Sequence, residues 1–204
     1  MNILLLDGLP DDYEGIPLST DFRNMINVDL ILQEEDDSEK EEKVYYALFQ
    51  LYEEIPKDYQ KAADGLFWFY TRGKSVTDDK SERTSEKGFS FNQDANLIYS
   101  AFFDTYGISL STVEYLHWWE FMALFEGLPE DTLIKRVIYW RTADLSEVSK
   151  TEKKHIQKMR KLFALKRTRQ GRQPMSAEEL DQQTKDRVDR RYAEVQAALE
   201  KSQQ

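Results

Sequence analysis

Catalysis in this chain would have to start from two histidines, His117 and His155, and a few carboxylate pairs. The histidines fall on different elements, and neither has a partner at the spacing of a helical metal site. Cysteine is absent, which removes disulfides, thiolate zinc sites and thiol nucleophiles together. Asp11/Asp12 and Glu130/Asp131 sit beside Pro10 and Pro129 in turns, where charge near a helix start explains them without acid–base work. The eight glycines are scattered as turn and cap residues, not gathered into a phosphate-cradling loop, and no Gly-x-Ser-x-Gly elbow occurs. His117, next to Trp118, reads as a packed core histidine. The expectation is a protein that is not an enzyme and carries no cofactor or metal.

What remains is the chemistry of binding. Ten Lys and Arg residues crowd positions 150 to 172, enough to neutralise phosphates. They lack the interleaved aromatics that stack bases, and no helix-turn-helix spacing accompanies them. A solvated basic helix, or one docking on an acidic surface, fits better, so nucleic acid is disfavoured as a partner. Phe89 to Arg141 is packed with aromatics and reads as three consecutive apolar helices around Leu116-His117-Trp118-Trp119-Glu120-Phe121. Phe91, Phe102, Phe103, Trp118, Trp119, Phe121, Phe125 and Trp140 are expected to supply mostly core. Yet a helix with Tyr115, Trp118 and Met122 on one side and Val113, Leu116, Leu124 and Phe125 elsewhere needs cover on several faces, from other helices or a second chain. The candidate partner-binding residues are therefore Tyr115, Trp118, Trp119 and Met122, with Lys158, Lys161, Arg167 and Arg169 from the basic segment. A homo-oligomer is left open.

These residues need helices to position them. Phe22, Met25, Ile26 and Leu30 have the spacing of a helix face. Val44, Tyr45, Leu48, Leu51, Tyr52 and Ile55 define a second helix stopped by Pro56, and Tyr59 to Tyr70 a third ended by Gly73, the two forming a helical hairpin. The acidic run Glu34–Asp37 and the polar stretch 74–88 read as loops. Phe91 to Tyr106 forms a helix closed by Gly107, and Ser109 or Ser111 caps the next, which ends near Gly127. Leu133 to Trp140 forms another. Ser149-Lys150-Thr151-Glu152 is a capping box opening a basic helix with Ile156, Met159 and Phe163 on one side. Ser176–Glu179 opens a last helix with a thin apolar stripe, expected to project. At the other end, residues 1–20 hold the strand-like run Ile3–Leu6 and turns at Gly8, Pro10, Gly15 and Pro17, so a small hairpin or irregular arm is expected there.

The fold class expected is all-α: a single helical domain of about seven or eight helices with a short β-like N-terminal arm. At 204 residues the chain fits one domain with an appended tail. Charge divides it. Residues 1–149 hold 30 acidic and 13 basic residues and read as an acidic, aromatic-rich helical domain. Residues 150–204 hold 8 and 15 and read as a basic C-terminal helical extension. A mean hydropathy of -0.70 and the lack of a long apolar run argue against a membrane span. Met1–Leu6 is too short for a signal peptide and is followed at once by Asp7, so a soluble intracellular protein is expected.

Three blocks carry a resemblance. Leu9-Pro10-Asp11 followed by Ile16-Pro17-Leu18-Ser19-Thr20-Asp21-Phe22-Arg23, then Phe89–Ala95 through Phe102–Leu110, and above all Leu116–Phe121 with Leu124, Gly127-Leu128 and Arg141, resemble the phage gene-product-fifteen family of Gram-positive phages and prophages. The resemblance reaches from the arm to about residue 165. Members are similar in gene position to tail assembly chaperones, encoded between the tail tube and tape measure proteins. The resemblance implies a helper in building a long non-contractile tail, with the tape measure or tail tube protein as partner. It implies a place in the cytoplasm of the bacterial host during assembly. A structural tail or connector component, found in the virion, is the alternative, and a nucleic-acid-binding accessory protein using the basic segment stands behind both. No active site comes with the family.

Overall fold

The computed structural model of the protein describes residues 8–33, 40–74, 88–146 and 148–166. Within them lie seven helices: α1 (Phe22–Gln33), α2 (Lys40–Leu51), α3 (Tyr59–Tyr70), α4 (Ala95–Tyr106), α5 (Trp118–Glu126), α6 (Leu133–Thr142) and α7 (Lys150–Leu162). The fold is all-α, with one two-stranded hairpin near the N-terminus. Ile3–Leu6, the run Glu34–Asp37, most of the 74–88 stretch, Arg167, Arg169 and the expected projecting helix lie outside the described residues.

A small hairpin lies in the arm, with its strands flanking the turn at Gly15. β1 (Asp12–Tyr13) pairs antiparallel with β2 (Ile16–Pro17) around Glu14-Gly15. Glu14 and Gly15 both have positive φ, 51° and 81°, the backbone that a two-residue hairpin loop demands. The Asp12 carboxylate accepts the Gly15 amide at 2.8 Å and fixes the turn.

Helix boundaries follow hydrogen-bond supply. α2 stops at Leu51, short of Pro56, where the Leu51 carbonyl accepts the Ser19 amide at 2.7 Å. Asp58 caps α3 through the Lys61 amide. α4 begins at Ala95, not Phe91, and ends as expected at a left-handed Gly107. α5 departs most from expectation. Ser109 and Ser111 do not cap it; they bond to each other, and Ser109 lies within hydrogen-bond distance of Tyr99. His117 is the cap, its Nδ1 accepting the Trp119 amide at 3.0 Å, so Val113 and Tyr115 precede the helix. Leu116 and His117, just before α5, stay extended because they pair with the residues just before α1 in a single antiparallel bridge. Phe22 N donates to Leu116 O and Trp118 N to Thr20 O, each at 2.9 Å.

The main core forms around Phe121, fully buried on α5 and stacked on Phe22 of α1 at 4.8 Å and Phe102 of α4 at 5.0 Å. Leu48 and Leu51 of α2 and Leu66 and Phe69 of α3 belong to the same cluster. The indole N–H groups of Trp118 and Trp119 reach the last carbonyls of α3, those of Tyr70 and Phe69, so both tryptophans are buried without orphaning a donor. A smaller cluster of Val137, Trp140 and Ile156 joins α6 to α7, with Met159 and Phe163 packed on it as expected. α7 thus belongs with the helices before it, and the compact unit extends to Lys166. The change of charge at residue 150 is not a change of packing. No helix among the described residues is long and apolar enough to cross a membrane.

Candidate interaction surfaces

The buried polar groups could hold chemistry, and each is committed to structure. His117 is 3% exposed; Nδ1 accepts from the backbone, so Nε2 carries the proton and donates to the Pro10 carbonyl at 3.0 Å. Burial holds its pKa below the ordinary histidine value, against smaller opposing effects of Pro10, Glu120 and Asp11. Asp94 forms a two-point ion pair with Arg141, at 2.6 and 2.9 Å, and also accepts the Ser90 amide. Arg141 spends its other donors on the carbonyls of Gly88 and Phe163. Asp29 accepts from the Tyr70 hydroxyl and from Gln33. Burial, and then Asp29 itself, push the Tyr70 hydroxyl far above the usual tyrosine range. Among the described residues, no group of His, Asp and Glu converges as a metal site. A shallow hollow of about 380 Å³ is lined by Leu9 to Glu14 and Trp68, but Asp12 is spent on its own turn and Glu14 pairs with Lys61 at 2.9 Å.

The expected partner-binding residues divide. Trp118 and Trp119 are 2% and 8% exposed. The surface role expected of them is corrected: α5 is covered by α1, α3 and α4, and both rings fill the core. Met122 is half-buried. Tyr115 is 56% exposed, its hydroxyl 2.7 Å from Thr20 Oγ1. Lys158 and Lys161 are exposed on α7.

Other rings face solvent that were expected inside: Phe103, counted with the core aromatics, and Tyr45 and Tyr59, counted with the apolar helix faces, are all exposed. On α2 and α3, Tyr45, Phe49 and Tyr59 form one contiguous patch, with Tyr45 5.1 Å from Phe49 and 6.4 Å from Tyr59. On α4, Tyr99 and the half-exposed Phe103 stack at 6.3 Å. The 3.3 Å approach of Tyr99 Oη to Ser109 Oγ sets this pair beside the segment that carries Tyr115. The signal was present only in part: Tyr45 and Phe49, and likewise Tyr99 and Phe103, sit four apart and share a helix face at the margin of the one that carries Leu48 or Phe102.

Set beside known proteins, the chain matches one family model, described as Bacteriophage Gp15 protein, over residues 5–165. No curated protein and no solved structure matches it. The matched region ends just after α7.

Proposed function

Since the chain belongs to the bacteriophage Gp15 protein family, we propose that it is a tail assembly chaperone, which binds the tape measure or tail tube protein while a long non-contractile tail is built. The observation that carries this reading is the set of aromatic rings held outward by a closed core: Tyr99, Phe103 and Tyr115 are 38%, 52% and 56% exposed while Ile98, Phe102 and Leu116 beside them are buried. A monomer gains nothing by leaving such rings in water, and aromatic side chains anchor most protein interfaces. A tape measure is long and largely helical, so its apolar stripes need cover until tube subunits replace the helper. Acidic residues over the rest of the body keep the loaded complex soluble.

The test is co-expression with the tape measure and tail tube proteins of the same phage. The native chain is expected to co-purify with one of them, and Tyr99→Ser with Phe103→Ser to weaken capture about tenfold or more. The chain should be absent from purified particles. Recovery in virions at stoichiometric amounts would make it a structural tail component instead, and failure to bind either protein would sink the chaperone reading.

A further inference from the structure

We propose that the chain associates with itself through two unlike faces: the lysine face of α7 on one copy seats on the acid-rimmed aromatic patch of α2 and α3 on another. The inference stands apart from the chaperone reading, which concerns the α4 side.

The lysine face is a built surface. Lys150, Lys154, Lys158 and Lys161 recur at helical spacing on one side of α7, over a length of about 16 Å. All four are exposed, and none forms an ion pair among the described residues. The helix is fixed from behind by the buried Ile156 and by Arg160, which donates to the carbonyls of Trp140 at 2.7 Å and Ala143 at 2.6 Å. The helix that carries the four lysines is therefore fixed against α6. Leu162, at the end of the helix, is 69% exposed.

The opposing face has the complementary character. Tyr45, Phe49 and Tyr59 give it a ring floor, with Tyr46 at 6.1 Å from Tyr45. Glu42 precedes the rings on α2, Glu53 and Glu54 follow them, and Asp58 adjoins Tyr59; all four carboxylates are exposed, as is Lys57. Lysine stems lie readily along aromatic faces while their ammonium groups reach carboxylates beyond. A symmetric α7-on-α7 contact would oppose like charges, so the contact joins unlike faces.

The experiment is sedimentation of the full chain at concentrations up to a few hundred micromolar, in low and high salt. In low salt the mass is expected to climb from the 24.1 kDa of one chain to twice that and beyond, because a contact between unlike faces leaves one of each free at the ends of the assembly. It should fall back as salt rises to about 500 mM, where screening confines charge interactions to a few ångströms. Lys154→Glu with Lys158→Glu should abolish the rise, as should Glu53→Lys with Glu54→Lys. Mixing the two variants should restore a heterodimer, provided circular dichroism shows native helix content in each. A mass that stays at one chain, one that rises equally in both variants, or a mixture that fails to associate would each overturn the proposal.

Discussion

Around Phe121 the molecule is filled with rings, whereas between α6 and α7 it is tied together by arginines. In the first region Phe22, Phe91, Phe102, Trp118 and Phe125 surround one fully buried phenyl group, and shape does the fixing. In the second, buried apolar matter amounts to Val137, Trp140 and Ile156. Arg160 satisfies carbonyls at the end of α6 that would otherwise lack partners, and Arg141 links α6 to the segments at Gly88 and Phe163. The lesson is that a small apolar cluster aligns two helices only with help from groups that demand particular partners. A buried ion pair such as Arg141–Asp94 loses hydration on folding and adds little net stability, but it penalises misaligned packing heavily.

That contrast can be broken from either side. Phe121→Ala should cost most, about 4–5 kcal/mol in urea unfolding, because four stacked neighbours cannot all close the void. Arg141→Met should follow at about 3 kcal/mol, since it strands the Asp94 carboxylate indoors. Adding Asp94→Leu should recover part of that loss. If the double variant is worse than Arg141→Met alone, the charge pair contributes net stability and the contrast fails.

The smallest effect is electrostatic and belongs to the ring-filled side. Because burial lowers the His117 pKa, the unfolded chain takes up a proton before the folded one does. Its contribution is complete above about pH 6.5 and is lost as pH falls through the lower folded-state value, with a slope of at most about 1.4 kcal/mol per pH unit. His117→Asn keeps a capping acceptor and should flatten this part of the stability–pH curve. An unchanged slope would show that the protonated ring is tolerated.

Much of the architecture was legible from residue order. Apolar spacing located α1 to α4, Gly107 marked a helix end, and Ser149 marked the start of α7, its hydroxyl accepting the Glu152 amide. His117 was recognisable as a core residue, but not as a cap, because serines upstream offered the commoner capping chemistry. Partners distant in sequence were invisible: Asp94 finds Arg141 47 residues later and Asp29 finds Tyr70 41 residues later, separations that no local pattern encodes. The candidate surface was half legible for a related reason. Aromatic content shows that a helix is rich in rings, but not how many sides its neighbours will cover, so Trp118 and Trp119 went to the core while Tyr45 and Phe49 stayed outside.

The extended pairing between the stretch before α1 and the stretch before α5 also constrains how the chain is born. Thr20 meets Tyr115, 95 residues away, and the neighbouring amides of Phe22 and Trp118 are satisfied in the same contact. At about 5–20 residues per second, the ribosome needs roughly 5–20 s to deliver the second stretch after the first. For that interval α1 can already settle on α2, made just after it, but Phe22 still lacks Phe121, so the ring-filled centre closes only once α5 has been delivered.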